Sequence, residues 1–257
     1  MNALEDHLLA TRAAGRKLLL PYITGGVSDD WVDLVHAAVD AGADGVEIGI
    51  PFSDPVIDGP VIQAASVRAL DRGTTPETVL RDLAAYRRSA PLIAMTYYNL
   101  VLQQGEQRFA RHLAEAGVGG AILPDLPLEE SASWERDAAA HGVAGVLIAA
   151  PSTPDDRLKV ICDRSSGFVY GMGVMGVTGE RAAPTDSARQ MAERLKAVTG
   201  KPVLIGVGVS TSDNARKVAG VADGVIIGAP VMRRIAEQGG PAGVAALVGE
   251  FRAALDG

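Results

Sequence analysis

The sequence has one cysteine, few aromatic residues and no long apolar segment. Cys162 alone excludes an intrachain disulfide, and beside Ile161 it is predicted to fill a hydrophobic core. No apolar run approaches the roughly 20 residues that cross a bilayer. Glu5 and Asp6 stand where a signal peptide would carry basic residues. These absences predict a soluble protein of the cytoplasm with no membrane segment.

Positive charge is also in short supply. The chain carries 24 Lys and Arg against 31 Asp and Glu, which gives a net charge of −7. This balance argues against nucleic acid as a partner, although a local basic pocket for a small anion stays possible. The histidines have none of the spacings typical of metal ligands, so no metal site is predicted. They are His7, His36, His112 and His141.

The hydrophobic residues recur in a pattern of alternating helices and strands. With 257 residues, 47% of them hydrophobic, the chain can bury one large core, and we expect one domain over residues 1–257. Leu4, Leu8 and Leu9 have helical spacing and predict an N-terminal helix over 2–15 that ends at Gly15 and plugs one end of the fold. After it, helices alternate with short strands rich in Val, Ile and Leu. The strands are predicted at 18–23, 44–50, 92–97, 120–123, 145–149, 167–170, 203–205 and 224–227.

This alternation predicts parallel strands. About eight such units in one domain match a closed (β/α)8 TIM barrel with an extra N-terminal helix. Three joints between helix and strand, at 41–49, 116–124 and 219–228, resemble one another and indicate an internally repeated unit. A doubly wound open sheet is the alternative. It is disfavoured because no Gly-x-Gly-x-x-Gly follows the first strand and no second domain is apparent.

The segment 41–63 carries an acid inside a hydrophobic strand. Strand alternation places Glu47 on one face with Gly45 and Gly49, and Val46 and Ile48 on the other. If helices cover the apolar face, Glu47 points into the barrel, where burial raises its pKa and suits it to acid and base chemistry. A Glu neutralised by a buried Lys or Arg is the alternative, but the flanking glycines leave room for a ligand.

Further polar residues follow the strands. Asp54 and Asp58 lie in a loop stiffened by Pro51, Pro55 and Pro60, and three acids within twelve residues predict a site rather than isolated turn residues. Ligands of such barrels bind at the carboxyl ends of the strands. Other polar residues predicted there, the first two of them in a loop, are Tyr22, Thr24, Tyr97 to Asn99, Asp125 and Tyr170.

Glycines follow the last three strands. Those in 205–212 and 227–230 could let backbone N–H groups approach a phosphate, although tight left-handed turns would explain each cluster equally well. Segment 170–185 is long and glycine-rich, and it is predicted to form a lid that excludes water. Thr178 on this lid could hydrogen-bond an active-site carboxylate.

Several of these stretches together resemble the tryptophan synthase alpha subunit over nearly the whole chain. They are 21–24, the Glu-x-Gly-x-Pro-Phe-Ser-Asp-Pro-x-x-Asp-Gly-Pro run at 47–60, 98–99, 125–127, 176–179 and the late glycines. The resemblance implies cleavage of indole-3-glycerol phosphate to indole and glyceraldehyde 3-phosphate on a (β/α)8 barrel. It further implies that indole passes to a beta subunit that carries pyridoxal phosphate (PLP) and condenses it with L-serine, in an alpha2beta2 tetramer. No cofactor is expected in this chain.

The resemblance also implies residue roles. Glu47, with its raised pKa, would act as acid and then base. Asp58, kept ionised in its wetter loop, would stabilise positive charge on the ring nitrogen, so its pKa would lie below that of Glu47. Tyr22 and Tyr170 would hold the substrate, and Thr178 would orient Asp58. Asp54 would belong to the loop that faces the beta subunit.

Phosphate would be bound through backbone groups at Gly179, Gly208, Gly228 and Ala229. Ala229 departs from the family pattern, since many members carry serine there, and a hydroxyl contact to phosphate is then missing. Val174 and Met175 replace polar residues at the start of the lid.

Three other functions compete with this interpretation. A standalone lyase that releases indole without a partner would use the same residues. A sugar-phosphate isomerase would explain the glycines but not the acid pair. A barrel kept chiefly as an allosteric partner would show only residual chemistry.

Overall fold

The computed structural model describes residues 2–173, 185–237 and 239–257. Its eight strands are all parallel and close into a barrel in sequence order, so that the first strand pairs with both the second and the eighth. The predicted (β/α)8 barrel is therefore confirmed. The strands are β1 Leu18–Thr24, β2 Val46–Gly49, β3 Leu92–Met95, β4 Val118–Ile122, β5 Ala144–Ala149, β6 Val169–Met172, β7 Val203–Gly206 and β8 Gly224–Ile227.

Helices surround the barrel and cover its outer face. Within the described residues they are α1 Ala3–Ala13, α2 Trp31–Asp40, α3 Pro60–Asp71, α4 Pro76–Leu83, α5 Tyr98–Gln104, α6 Glu106–Glu115, α7 Ala132–Ala140, α8 Asp155–Arg164, α9 Thr185–Lys196, α10 Ser212–Ala219, α11 Ala229–Ala236 and α12 Gly240–Asp256. None of these described helices is long and apolar enough to cross a membrane. That the whole chain forms one domain stays a prediction.

Predicted and observed strand limits differ by up to two residues. The second strand spans only Val46–Gly49, and the third ends at Met95. The fourth begins earlier, at Val118. The sixth begins at Val169 because Gly167, with φ of 82°, turns the chain before it. Tyr22 was expected in a loop but lies within β1, which continues to Thr24.

The N-terminal helix closes one end of the barrel, as predicted. Leu4 and Leu8 are fully buried in the cluster of side chains that fills the barrel interior. An added Cβ on Gly120 or Gly167 would lie 2.6 or 2.9 Å from Leu4 Cδ2. These two glycines therefore make room for the plug.

The limits of this helix follow from local chemistry at its two ends. The Asn2 side chain caps the helix by accepting a hydrogen bond from Glu5 N at 2.9 Å. Ala13 is its last residue, and Gly15 takes up a left-handed conformation with φ of 82°. The helix is thus shorter at each end than the predicted 2–15.

Two of the three similar joints, those at 41–49 and 219–228, share a structural aspartate. Asp44 Oδ2 accepts a hydrogen bond from Leu19 N, the second residue of β1, at 2.9 Å. Asp223 Oδ2 accepts one from Val203 N, the first residue of β7, at 2.8 Å. Each carboxylate thus fixes the start of the preceding strand, and each is also paired with basic side chains. The shared Ala-Asp-Gly-Val sequence at 43–46 and 222–225 encodes this contact.

The barrel separates two apolar layers, which fixes the direction of Glu47. Val46, Ile48 and Ile50 pack in the outer layer, between strands and helices. The inner layer contains Leu20 and other interior residues. Because side chains alternate along a strand, Glu47 points inward. The predicted division of the two faces of β2 is confirmed.

Candidate active site

A cavity of about 540 Å³ opens at the carboxyl ends of the strands. It brings together seven of the ten predicted site residues. They are Tyr22, Glu47, Asp58, Tyr170, Gly208, Gly228 and Ala229. Thr178 and Gly179 lie outside the described residues, as does the rest of 174–184, Val174 and Met175 included. Of the predicted lid at 170–185, Tyr170 to Met172 belong to β6 and Thr185 begins α9. Asp54 is elsewhere, on the exposed loop after β2.

Glu47 is the most unusual group in this cavity. Its side chain is buried, with the residue only 1% exposed, and Oε2 has no hydrogen-bond partner among the described residues. Burial, with a smaller contribution from the nearby Asp58 charge, raises the pKa of Glu47 to about 8. No ion pair between Glu47 and a basic side chain occurs in the described part of the chain, which argues against the alternative of a neutralised core glutamate. Glu47 is therefore a protonated carboxylic acid at neutral pH.

Asp58 lies across the same cavity in a different environment. Burial raises its pKa to about 6, and a hydrogen bond donated by the Tyr97 hydroxyl to Oδ2, at 3.1 Å, opposes the rise. The environment of Asp58 is thus drier than the sequence suggested, and the expectation that it lies in a wetter loop is corrected. The predicted order holds, since the pKa of Asp58 stays about two units below that of Glu47.

Tyr97 is a site residue that the sequence placed at a strand end without assigning it a role. Its hydroxyl accepts a hydrogen bond from Ile57 N at 3.0 Å and donates one to Asp58. The ring stacks on Phe52 with centroids 5.1 Å apart. Tyr97 therefore holds the acid-bearing loop from the neighbouring strand, and its position just beyond β3 was the available signal.

Two tyrosines stand over two glycines inside the barrel. A Cβ on Gly49 would overlap the Tyr22 hydroxyl, and one on Gly206 would overlap the Tyr170 hydroxyl. Burial raises the pKa of both phenols above the usual range, so each stays neutral. The Tyr22 hydroxyl lies 3.4 Å from Thr24 Oγ1, which donates to it. Glycine at 49 and 206 sets the positions of the cavity walls.

Glycine occurs at positions 208 and 228 for different structural reasons. Gly208 has φ of 101° and follows Val207, whose φ of 55° is a strained conformation for a β-branched residue. Gly228, the N-cap of α11, has φ of −103°, and an added Cβ would make an ordinary contact of 3.6 Å with Tyr22. A left-handed turn thus explains Gly208 but not Gly228. At Gly228 the backbone is left open to the cavity at a helix N-terminus, as anion binding requires.

The middle of the loop after β2 is exposed to solvent, while Ile57 and Asp58 at its end line the cavity. Asp54 is exposed and accepts a hydrogen bond from Ser53 Oγ at 2.6 Å. Val56 is 73% exposed, and Pro55 is partly exposed. Pro51, at the start of the loop, is buried. The accessible apolar surface of this loop is therefore centred on Val56.

A closed parallel barrel with a buried acid pair in the cavity at its carboxyl end is the architecture of a (β/α)8-barrel enzyme that works by acid and base catalysis. Comparison with known proteins then gives the family. The model of the tryptophan synthase alpha chain family matches residues 8–251. The chain belongs to this family.

Individual members of the family are similar to this chain over nearly their whole lengths. The tryptophan synthase alpha chain of Streptomyces avermitilis is 43% identical over 99% of this chain and 95% of its own. A chain of Mycobacterium tuberculosis tryptophan synthase superimposes with a TM-score of 0.91 at 36% identity, covering 99% of this chain and 98% of its own. Tryptophan synthase subunit alpha of Legionella pneumophila gives a TM-score of 0.89 at 34% identity, covering 100% and 99%. The predicted family membership is confirmed.

Proposed function

We propose that Glu47 and Asp58 carry the lyase reaction of this family, the cleavage of indole-3-glycerol phosphate into indole and glyceraldehyde 3-phosphate. The observation that supports it most strongly is a buried, unpaired carboxyl oxygen of Glu47 in the same cavity as Asp58. An acid kept neutral beside one that ionises more readily is the arrangement that divides acid and base roles between two carboxyl groups.

The reaction uses the two acids in sequence. Glu47 donates its proton to C3 of the indole ring, and the positive charge that results spreads to the ring nitrogen. Asp58, ionised, accepts the hydrogen bond of the ring N–H and stabilises that charge. The Glu47 carboxylate then removes the proton of the glycerol hydroxyl next to the ring. The carbon–carbon bond breaks, its electrons restore the aromatic ring, and the hydroxyl carbon becomes the aldehyde.

The remaining predicted residues line this path. Tyr22 and Tyr170 form walls of the indole compartment, where two neutral phenols over glycines suit a flat apolar ring. Gly208, Gly228 and Ala229 border the same cavity and would present backbone N–H groups to the phosphate. By the family resemblance, Gly179 would join them and Thr178 would orient Asp58.

The test follows indole release from indole-3-glycerol phosphate by the purified chain. Glu47→Gln and Asp58→Asn each keep side-chain size and are expected to reduce kcat at least about 100-fold, the usual contribution of a positioned acid or base. Glu115→Gln, which changes an exposed carboxylate on α6, is the matched control and is expected to keep full activity. Turnover of a sugar phosphate without indole would show an isomerase instead. Equal indole release by wild type and Glu47→Gln would contradict the assignment of Glu47.

We further infer a beta-subunit partner that binds PLP, takes up the indole and assembles with this chain as an alpha2beta2 tetramer. The exposed loop around Asp54 and Val56 supports a docking surface beside the cavity. Mass measurement of the complex by light scattering tests the stoichiometry. Action in the cytoplasm and the absence of a cofactor from this chain stay predictions.

A further inference from the structure

The part of the cavity proposed to bind phosphate is bordered by charged side chains in addition to its backbone N–H groups. Two cationic side chains, Arg233 and Arg234, border it from helix α11, whose N-cap is Gly228. Carboxylates border the cavity as well, namely Glu47, Asp58 and Glu237. Glu47 is protonated at neutral pH. A phosphate dianion that enters such a cavity is still repelled by the carboxylates of Asp58 and Glu237, and it needs a cation that is not already paired.

Arg234 is engaged with its own helix end. Its Nε lies 3.9 Å from Glu237 Oε2. A Cβ on Gly239 would approach Arg234 Cδ to 2.8 Å, so the side-chain stem packs on the backbone that follows α11. The charge of Arg234 is thus balanced by Glu237, and its side chain is held toward the C-terminal end of the helix.

Arg233 differs from Arg234 because its charge is not balanced by a carboxylate among the described residues. It forms no ion pair or side-chain hydrogen bond with any residue in the described ranges, although it borders the cavity. It lies four positions after Ala229, on the same face of the helix. Side chains on a helix lean toward its N-terminus and cover the preceding turn. Arg233 is exposed and borders the cavity, and we infer from this direction that its side chain lies over the turn that carries Gly228 and Ala229.

We propose that the Arg233 guanidinium binds the phosphate group of the substrate and supplies the side-chain donor that Ala229 lacks. This rests on the proposed function. Arginine suits the role because its planar set of N–H donors matches two phosphate oxygens at once. The backbone groups at Gly208 and Gly228 orient the phosphate, and Arg233 adds the charge.

The test compares three variants in steady-state cleavage of indole-3-glycerol phosphate. Arg233→Gln is expected to raise KM about tenfold or more, with kcat within about threefold of wild type, because a charge-assisted contact to the phosphate is lost. Arg233→Lys keeps the charge and is expected to fall between the two. Arg234→Gln removes the same charge from the adjacent position and is expected to leave KM within about twofold.

Salt dependence separates a phosphate contact from a merely structural effect. Added potassium chloride screens the interaction, so the KM of wild type and of Arg234→Gln rises with salt while that of Arg233→Gln stays nearly constant. Binding of indole alone, which has no phosphate, is expected to be equal in wild type and Arg233→Gln. A raised KM with an unchanged salt dependence, or with weakened indole binding, would overturn the proposal. So would an Arg233→Gln variant with the KM of wild type.

Failure of the two proposals can be told apart by calorimetry with glycerol 3-phosphate, a probe that needs no turnover. If wild type releases no indole, the lyase assignment fails, but weaker binding of glycerol 3-phosphate to Arg233→Gln than to wild type would still support Arg233 as a phosphate ligand. If wild type releases indole and both proteins bind the probe equally, only the role of Arg233 is lost.

Discussion

The Tyr97 hydroxyl donates a hydrogen bond of 3.1 Å to Asp58 Oδ2 and accepts one of 3.0 Å from the backbone N–H of Ile57. One phenol thus holds the neighbouring loop by its backbone and its acid at the same time. The donated bond favours the ionised carboxylate and lowers the pKa of Asp58 against the larger effect of burial. Tyr97 is therefore a positioning residue for the ionised partner of the acid pair.

Tyr97→Phe is expected to move the acid limb of the activity profile to higher pH. Without the hydroxyl, the pKa of Asp58 rises further above about 6, and more of the enzyme carries a protonated Asp58 at neutral pH. A hydrogen bond to a charged group is worth about 1.5–3 kcal/mol, so the limb should shift by roughly one pH unit. The measurement is kcat/KM for indole release between pH 5 and 9, and an unmoved limb would exclude this role for Tyr97.

The wild-type profile itself is expected to be bell-shaped with its maximum near pH 7. Asp58 must be ionised, so activity rises with pH through about 6. Glu47 must hold its proton, so activity falls as pH rises through about 8. A plot of kcat/KM reports these groups in the free enzyme. A profile that is flat between pH 6 and 9 would contradict the assignment of Glu47 as the acid.

Glu47→Gln is expected to stabilise the folded chain while it lowers kcat at least about 100-fold. The folded-state pKa of Glu47 is raised from 4.5 to about 8, so between these values the folded chain holds a proton that the unfolded chain has released. Its contribution to stability therefore falls as pH rises from 4.5 to 8. Glutamine does not titrate, and by this linkage the variant gains up to about 3 kcal/mol at pH 7.

Urea unfolding at pH 5 and pH 7.5 measures this effect. The stability difference between Glu47→Gln and wild type should be larger at pH 7.5. Glu115→Gln, on the exposed face of α6, should show no such change with pH. A Glu47→Gln difference that shrinks as pH rises would mean that the buried acid is ionised in the folded state.

The sequence alone predicted the barrel and the direction of Glu47, because both depend on local patterns. Eight short apolar strands alternate with helices, and the period-two pattern of β2 assigns Glu47 to one face. The plug formed by Leu4 and Leu8 followed from helical spacing in the same way. Such features need no knowledge of which distant residues meet.

Contacts between distant residues could not be predicted in this way. Tyr97 and Asp58 are 39 positions apart, and nothing in either local sequence indicates their hydrogen bond. The burial of Asp58, and hence its raised pKa, depends on the same packing. The different reasons for glycine at 208 and 228 required backbone angles and neighbouring atoms. Most of the site residues could be identified from the sequence, but their contacts and burial in the folded chain could not.

Gly228→Ala is expected to lose phosphate binding but keep its stability, whereas Gly206→Ala is expected to lose stability and indole binding. A Cβ at Gly228 would make an ordinary 3.6 Å contact with Tyr22, and φ of −103° is open to alanine, so the variant should unfold at the temperature of wild type. Its methyl group would stand where the phosphate approaches the helix N-terminus, and the KM for indole-3-glycerol phosphate should rise about tenfold, as for one lost charged contact. At Gly206 the added Cβ would overlap the Tyr170 hydroxyl. That variant should lose about 1–3 kcal/mol of stability, the usual result of overpacking a core, and it should bind indole more weakly.

Thermal unfolding together with separate titrations of indole and glycerol 3-phosphate distinguishes the two effects. Gly228→Ala should weaken only the phosphate probe, because the indole compartment around Tyr170 is unchanged. Gly206→Ala should weaken indole first, because the displaced phenol is a wall of that compartment. If Gly228→Ala bound glycerol 3-phosphate as tightly as wild type, the backbone at the start of α11 would not contact the phosphate. The phosphate would then have to lie nearer to Gly208. The arrangement of substrate along the cavity thus depends on which glycine tolerates a methyl group.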